Sequence, residues 1–268
     1  MGYYLVTGAT GVLGKEFCRG LLAGERKELF LTGRSEEKLA ALAAELKELC
    51  PDAKIAYKAC DLADPVDIED MFRYSDERGM NFSGYFAIAG IDTQKAFRKY
   101  GEEKIIRQLR VNIEGNLLCF YKALDRFYKE PDTPPGIFET LIVSSMCGTV
   151  PIPYFSIYSA SKAFLIDFYS SVRKELYGTH VTILVPGSIP TRPDVIADIE
   201  KQGLSGKLSS KSPAFVVKKA LKGLSKNKRI VVPGFFNKMN YVLEKILPTK
   251  LLIAIMKNHW RRKEKDAF

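Results

Sequence analysis

Short β-rich runs alternate with helix-length amphipathic stretches along almost the whole chain, and that alternation leaves few folds open. Strand-like runs read at 3–7, 28–33, 54–60, 84–90, 138–145, 180–187 and 229–233. Helix-like stretches fill the gaps, at 35–49, 64–77, 102–129, 155–177 and 213–225, after a first one that ends near Ala23. Ser35 is placed to cap the second helix, and Pro65 opens the third, where a missing N–H costs nothing. Parallel strands need crossovers of this length, and right-handed crossovers lay helices on both faces of the sheet. The spacing therefore predicts an α/β chain: a doubly wound, seven-stranded parallel sheet with helices on both faces. With 268 residues, 46% of them hydrophobic, the chain has material for one large core. The expected organisation is one domain over 1–234 and a basic helical extension over 235–268. An irregular, Pro/Gly-broken segment is expected from Ser188 to about Ser212.

The stretch "TGATGVLG" at 7–14 follows the first strand and opens a helix. Gly8 permits a tight turn, Gly11 a close approach of backbone to a pyrophosphate, and Gly14 close helix–strand packing. The helix then offers unpaired N–H groups and the positive end of its dipole. Thr10, Val12 and Leu13 complete the candidate set at this turn. A glycine triplet alone is a weak signal. On a strand–turn–helix at the start of an alternating chain it reads as the dinucleotide site of a Rossmann-type sheet.

The end of the second strand indicates which dinucleotide. A site for NAD(H) places an acid there for the ribose 2′-OH. This strand ends "LTGRS", with Arg34 and no acid before Glu36. A guanidinium grips a 2′-phosphate with a charge-assisted fork, and Ser35 adds a hydroxyl. NADPH/NADP+ is favoured over NAD(H); the alternative is that Arg34 is an ordinary exposed arginine. In "CDLAD", Asp61 follows the third strand, with Leu62 beside it. Asp61 can accept from an adenine amino group or serve as a loop cap.

Further motifs carry a resemblance. "VNIEG" (111–115), "IVSSMCG" (142–148), "YSASK" (158–162) and "PGSIPT" (186–191) follow the glycine turn and "DL" in order. Together they resemble the short-chain dehydrogenase/reductase family over about residues 3–233. The most specific part is Ser145 thirteen residues before Tyr158, with Lys162 four after it. The resemblance implies an NADP(H)-dependent oxidoreductase acting between a ketone and a secondary alcohol. Tyr158 and Lys162 share a helix face. A nearby ammonium is expected to lower the phenol towards working pH, making Tyr158 a general acid and base. Ser145 would orient the substrate oxygen, and Lys162 would also bond the nicotinamide ribose. Asn112 would hold a water linking that lysine to solvent. Pro186, Gly187, Ile189 and Thr191 would cradle the nicotinamide end, and Ala89 and Gly90 the region after the fourth strand. Three positions depart from the family pattern. Val12 stands where its single-domain branch has a middle glycine, "AIAG" (87–90) replaces the usual NNAG, and the last strand lacks a Gly-Gly.

Composition narrows the partners. Two histidines and five cysteines, odd in number and without a CxxC, leave little material for a metal site. The cysteines read as reduced cytosolic thiols, and no signal-peptide pattern precedes the first strand. The expected location is cytoplasmic, with or without association at a membrane surface. Residues 201–268 hold 17 Lys/Arg against 3 Asp/Glu, so the net charge of +10 arises there. That stretch lacks the aromatic clusters of nucleic-acid binders, so no nucleic acid is expected. Ile189, Val195, Ile196, Ile199, Leu204 and Leu208, with 152–155, suggest an apolar substrate pocket. The tail from Phe235 resembles the C-terminal extension of family members that reduce steroid ketones or 3-oxoacyl thioesters, which implies a lipophilic carbonyl or alcohol substrate, steroid- or bile-acid-like or 3-oxoacyl. Near the end, Leu251, Leu252, Ile255, Met256 and Trp260 read as one apolar stripe beside Lys250, Lys257, Arg261 and Arg262. Such a helix can cover the pocket, lie on an anionic membrane, join a dimer or pack on its own domain. The resemblance implies a homodimer or homotetramer through the long helices. A protein of another class, a cofactor sensor with vestigial turnover, stays open.

Overall fold

The apolar runs form strands because their residues pack alternately to opposite faces. In β1 (Tyr3–Thr7), Leu5 joins one core and Val6 the other; in β4 (Phe82–Ala87), Tyr85 and Phe86 divide likewise. The structure, a computed structural model, describes residues 2–128, 136–261 and 265–266. The remaining strands are β2 (Glu28–Gly33), β3 (Lys54–Ala59), β5 (Thr93–Gln94), β6 (Phe138–Val143), β7 (Thr179–Leu184), β8 (Ile230–Val231) and β9 (Lys265–Asp266). Seven form one parallel sheet in the order β3-β2-β1-β4-β6-β7-β8. The order reverses direction between β1 and β4, where open α/β sheets leave a crevice at the carboxyl ends of the strands.

Helices cover both faces. On one lie α1 (Val12–Leu22), α2 (Glu36–Leu49) and, late in the chain, α9 (Pro213–Leu224). On the other are α3 (Pro65–Asp76), α5 (Gly115–Tyr128) and α6 (Ser156–Glu175). The Ser35 hydroxyl accepts from the Lys38 amide as the cap of α2, and Asp64 caps α3 ahead of Pro65. This is the doubly wound sheet that the spacing predicts.

Three local expectations change. The helix expected at 102–129 is broken: α4 (Glu102–Leu109) and α5 are joined by a π-helical turn, Arg110–Glu114, while residue 129 lies outside the described residues. Such turns re-aim a side chain, here Asn112. The segment expected to be irregular contains α7 (Pro193–Lys201) and α8 (Gly203–Ser209). Proline at the first position starts α7, and Gly203, at φ +59°, separates the two. The last sheet strand shrinks to β8. The extension folds into α10 (Phe235–Ile246) and α11 (Thr249–Trp260); Arg262 lies outside the described residues. Beyond them β9 pairs antiparallel with β5, Thr93 opposite Asp266, tying the end of the chain to the loop after β4. Among the described residues no helix is long and apolar enough to cross a membrane.

Candidate active site

The turn between β1 and α1 is shaped by steric necessity. Gly8 sits at φ +66°, and a Cβ there would meet the Ala89 backbone at 2.8 Å. A Cβ on Gly14 would lie 2.1 Å from the Gly8 carbonyl oxygen. The N-cap of α1 is Gly11, with no side-chain cap, so the first amides of α1 stay available to a ligand. They open on a cleft of about 810 Å³ at the carboxyl ends of β1, β4 and β6. Gly8, Thr10, Gly11, Val12, Leu13 and Gly14 all line it. A glycine cradle and an uncapped helix end in a cleft of this size fit a dinucleotide.

The other candidates converge on the same cleft from distant parts of the chain. Arg34, Asp61, Leu62, Ala89 and Gly90 line the β1–β4 side. Ser145, Tyr158, Lys162, Pro186, Gly187, Ile189 and Thr191 line the β6–β7 side. Two predicted contacts are placed differently. Ser35 is committed to capping α2 and is not among the lining residues. Asn112 is buried behind the wall: its Oδ1 accepts from the Ile91 amide at 2.9 Å. Its Nδ2 donates to the Ile91 carbonyl at 2.9 Å and to Ser161 Oγ at 3.1 Å. Asn112 thus braces the loop after β4 against α6.

Burial dominates the chemistry of the α6 pair. Lys162 is 3% exposed, and its Nζ donates to the Val143 carbonyl at 2.8 Å. Burial lowers its pKa to about 8, with Asp92 and Cys147 opposing. Tyr158 carries Phe155 stacked on its ring at 4.5 Å, and Trp260 stacks on Phe155 at 4.9 Å. Burial pushes the phenol above its ordinary value, with Cys147 and Asp92 adding to the rise; Ser145 and Arg192 pull it back. The expectation of a phenol lowered by its lysine is not met in the protein alone. Nζ lies 5.7 Å from the Tyr158 ring centre, and desolvation is the largest influence on the phenol.

The family model described as short chain dehydrogenase matches residues 3–200. The chain belongs to the short-chain dehydrogenase family. It is 27% identical to the 11-beta-hydroxysteroid dehydrogenase-like 4A of Arabidopsis thaliana over 263 residues, covering 95% of this chain and 83% of that one. It is 30% identical to the 7beta-hydroxysteroid dehydrogenase of Collinsella aerofaciens over 181 residues, 68% of this chain and 65% of the relative. Among solved structures, one from a study of 7beta-hydroxysteroid dehydrogenase stereoselectivity superposes with a TM-score of 0.80 at 25% identity, covering 95% and 96% of the two chains. A short-chain dehydrogenase from Sphingobium yanoikuyae in complex with NADPH shares the fold, with a TM-score of 0.74 at 20% identity over 99% of each chain. The protein is a short-chain dehydrogenase-family oxidoreductase similar to hydroxysteroid dehydrogenases.

In this short-chain dehydrogenase several cleft residues escape the sequence motifs. Arg107 pairs with Asp61 at 2.8 Å. Burial raises the Asp61 carboxyl, but the Ala63 amide and Arg107 outweigh it and hold the group below its usual range. Arg192 reaches across the cleft to Asp92 at 2.9 Å and also bonds Asp194. Asp92 and Arg192 stand 100 residues apart, and no local signal pairs them. Arg192 does lie next to Thr191, which is a hint of position only. Asn237 on α10 fills the space that a side chain at Gly187 would need, 2.7 Å away. Of the apolar residues expected in the pocket, Ile189, Val195 and Ile199 line it, whereas Ile196, Leu204 and Leu208 point outward and are exposed.

Proposed function

We propose that the protein is an NADP(H)-dependent oxidoreductase that interconverts a ketone and a secondary alcohol on a lipophilic substrate, steroid-like, bile-acid-like or 3-oxoacyl. One observation carries the reading: Ser145, just after β6, and Tyr158 and Lys162 on α6 face the same cleft as the glycine turn of β1. The nicotinamide, when bound, supplies or accepts the hydride. The Tyr158 phenol gives its proton to the ketone oxygen in reduction and takes one from the alcohol in oxidation. The Ser145 hydroxyl donates to that oxygen as negative charge develops on it. Lys162 places positive charge beside the phenol, and Asn112 holds the Ile91 backbone and α6 in register. A phenol pushed up by burial stays protonated at neutral pH, which suits the reducing direction.

The apolar side of the cleft, with Phe155, Trp260, Met146, Val195 and Ile199, supports a lipophilic substrate. So does the similarity to proteins named hydroxysteroid dehydrogenases. Arg34 is exposed at the cleft rim without an acid beside it on the same strand end, which supports a 2′-phosphate. Exposed Ile106, Leu109 and Tyr121 on α4 and α5 support a homo-oligomer formed there.

The test is a panel of steroid, bile-acid, acyl-thioester and small diketone substrates, followed through nicotinamide absorbance with NADPH and with NADH. Turnover on a lipophilic member with NADPH is expected. Tight NADPH binding with no turnover on any panel member would instead establish a cofactor sensor. Arg34→Ala should weaken NADPH by about 10- to 100-fold, the worth of one charge-assisted bond, and leave NADH nearly unchanged. Equal losses for both cofactors would remove the case for NADP(H).

A further inference from the structure

Helix α10 is amphipathic in the reverse sense. Phe235, Met239, Val242, Leu243 and Ile246 recur at helical spacing and share one face. In a surface helix that face should be buried. Here all five are exposed, from 42% for Met239 to 84% for Phe235. The opposite face is polar and turned inward. Asn237 is 2% exposed and donates to the Ser209 and Pro233 carbonyls, while Asn240 and Glu244 line the cleft. Glu244 also accepts from the Thr149 hydroxyl.

Helix α11 extends the outer surface. Leu251 and Ile255, four apart, are exposed, and Leu247 in the connection joins them to Ile246. The single stripe expected from the sequence is therefore divided. Leu252, Met256 and Trp260 turn inward onto Phe155 and Tyr158, and Leu251 and Ile255 turn outward.

Charge distinguishes what this surface fits. Between 235 and 261 stand Lys238, Lys245, Lys250, Lys257 and Arg261, against one acid, Glu244, which faces the cleft. Lys238 and Lys245, seven apart, run along one edge of the apolar face of α10. A second copy docked by two-fold symmetry would set this basic rim against itself. An anionic bilayer satisfies both features, since its boundary takes up apolar side chains and its phosphates take up the lysines.

We propose that α10 and α11 dock the protein on the surface of an anionic phospholipid bilayer. The inward sides of the same helices wall the cleft, so only one helix diameter, about 10 Å, separates lipid from substrate site. The docking stands on these two helices alone. Delivery of a lipophilic substrate from the bilayer rests in addition on the oxidoreductase reading.

The test uses the full chain with sedimenting vesicles of phosphatidylcholine alone or with about one-third phosphatidylglycerol. Binding at least about tenfold stronger to the anionic vesicles is expected, falling by a similar factor in about 0.5 M salt. Val242→Glu with Ile246→Glu should cut it about tenfold, as should Lys245→Glu with Lys250→Glu. Both pairs are exposed, so an unchanged thermal midpoint will show that the fold is kept. Equal binding to both vesicle types, no binding to either, or insensitivity to the α10 substitutions would overturn the docking. So would sedimentation showing self-association that Ile246→Glu abolishes, because a second copy would then own the face. Turnover without vesicles is scored separately on a water-soluble ketone, so the two readings fail independently.

Discussion

Tyr158→Phe is expected to lower kcat about 10²- to 10⁴-fold in both directions while leaving cofactor affinity within a small factor. The substitution removes one oxygen and keeps the ring. Phe155 still stacks at the same place, with Trp260 behind it, so the wall of the cleft should hold. The glycine cradle of β1–α1 lies elsewhere in the cleft, which is why binding should survive. The phenol also sets a pH signature. Because burial pushes it above its ordinary value, it stays protonated through neutral pH. Ketone reduction should then be flat across the neutral range, and alcohol oxidation should climb as the medium becomes alkaline. Stopped-time assays in both directions read this directly; near-normal turnover by the phenylalanine variant would remove Tyr158 from the chemistry.

Lys162→Met should abolish turnover and at the same time stabilise the fold. The ammonium is buried with one carbonyl partner and has a pKa near 8, against an ordinary 10.5. That lowering corresponds to about 3 kcal/mol at about 1.4 kcal/mol per unit. Below about pH 8 both folded and unfolded chains carry the charge, and the burial penalty is present in full. Between about 8 and 10.5 the folded chain loses the proton first, so stability rises with pH through that window. The methionine variant has no such charge. Its advantage, up to about 3 kcal/mol near neutrality, should shrink towards zero by about pH 10.5. Urea unfolding of both proteins across that range is the measurement. A lysine form as stable as the methionine form at neutral pH would mean that the burial penalty is offset elsewhere. A group that weakens the fold where it sits belongs to function rather than packing.

The sheet was legible because short β-rich runs separated by helix-length amphipathic segments admit a parallel, doubly wound sheet; the order of its strands came from the tertiary structure. The turn of β1–α1 was legible for a related reason: a Cβ on Gly14 would fall 2.1 Å from the Gly8 carbonyl oxygen, so only glycine fits and the requirement is written as residue type. Ser145, Tyr158 and Lys162 were legible as a spaced motif on one strand end and one helix face. Boundaries were less so. The π-helical turn at 110–114 was not read from propensity; in it Asn112 bonds Ile91 and Ser161, partners 21 and 49 residues away. The helices α7 and α8 were hidden by the proline and glycines that in fact start and divide them.

By itself, the sequence determined the doubly wound sheet, the glycine cradle and the spacing of the candidate site residues, since periodicity, steric exclusion and short-range spacing are local properties. Tertiary structure alone decided the rest. It set Arg192 on Asp92 and Arg107 on Asp61, and it stacked Trp260 over the ring that covers Tyr158. It also turned the polar face of α10 inward and its apolar face out. These depend on groups far apart in the chain meeting in one place, and on which side of a helix loses its water. Desolvation is set by everything that surrounds a group, so the same lysine and phenol that spacing paired were shifted in directions the spacing could not supply.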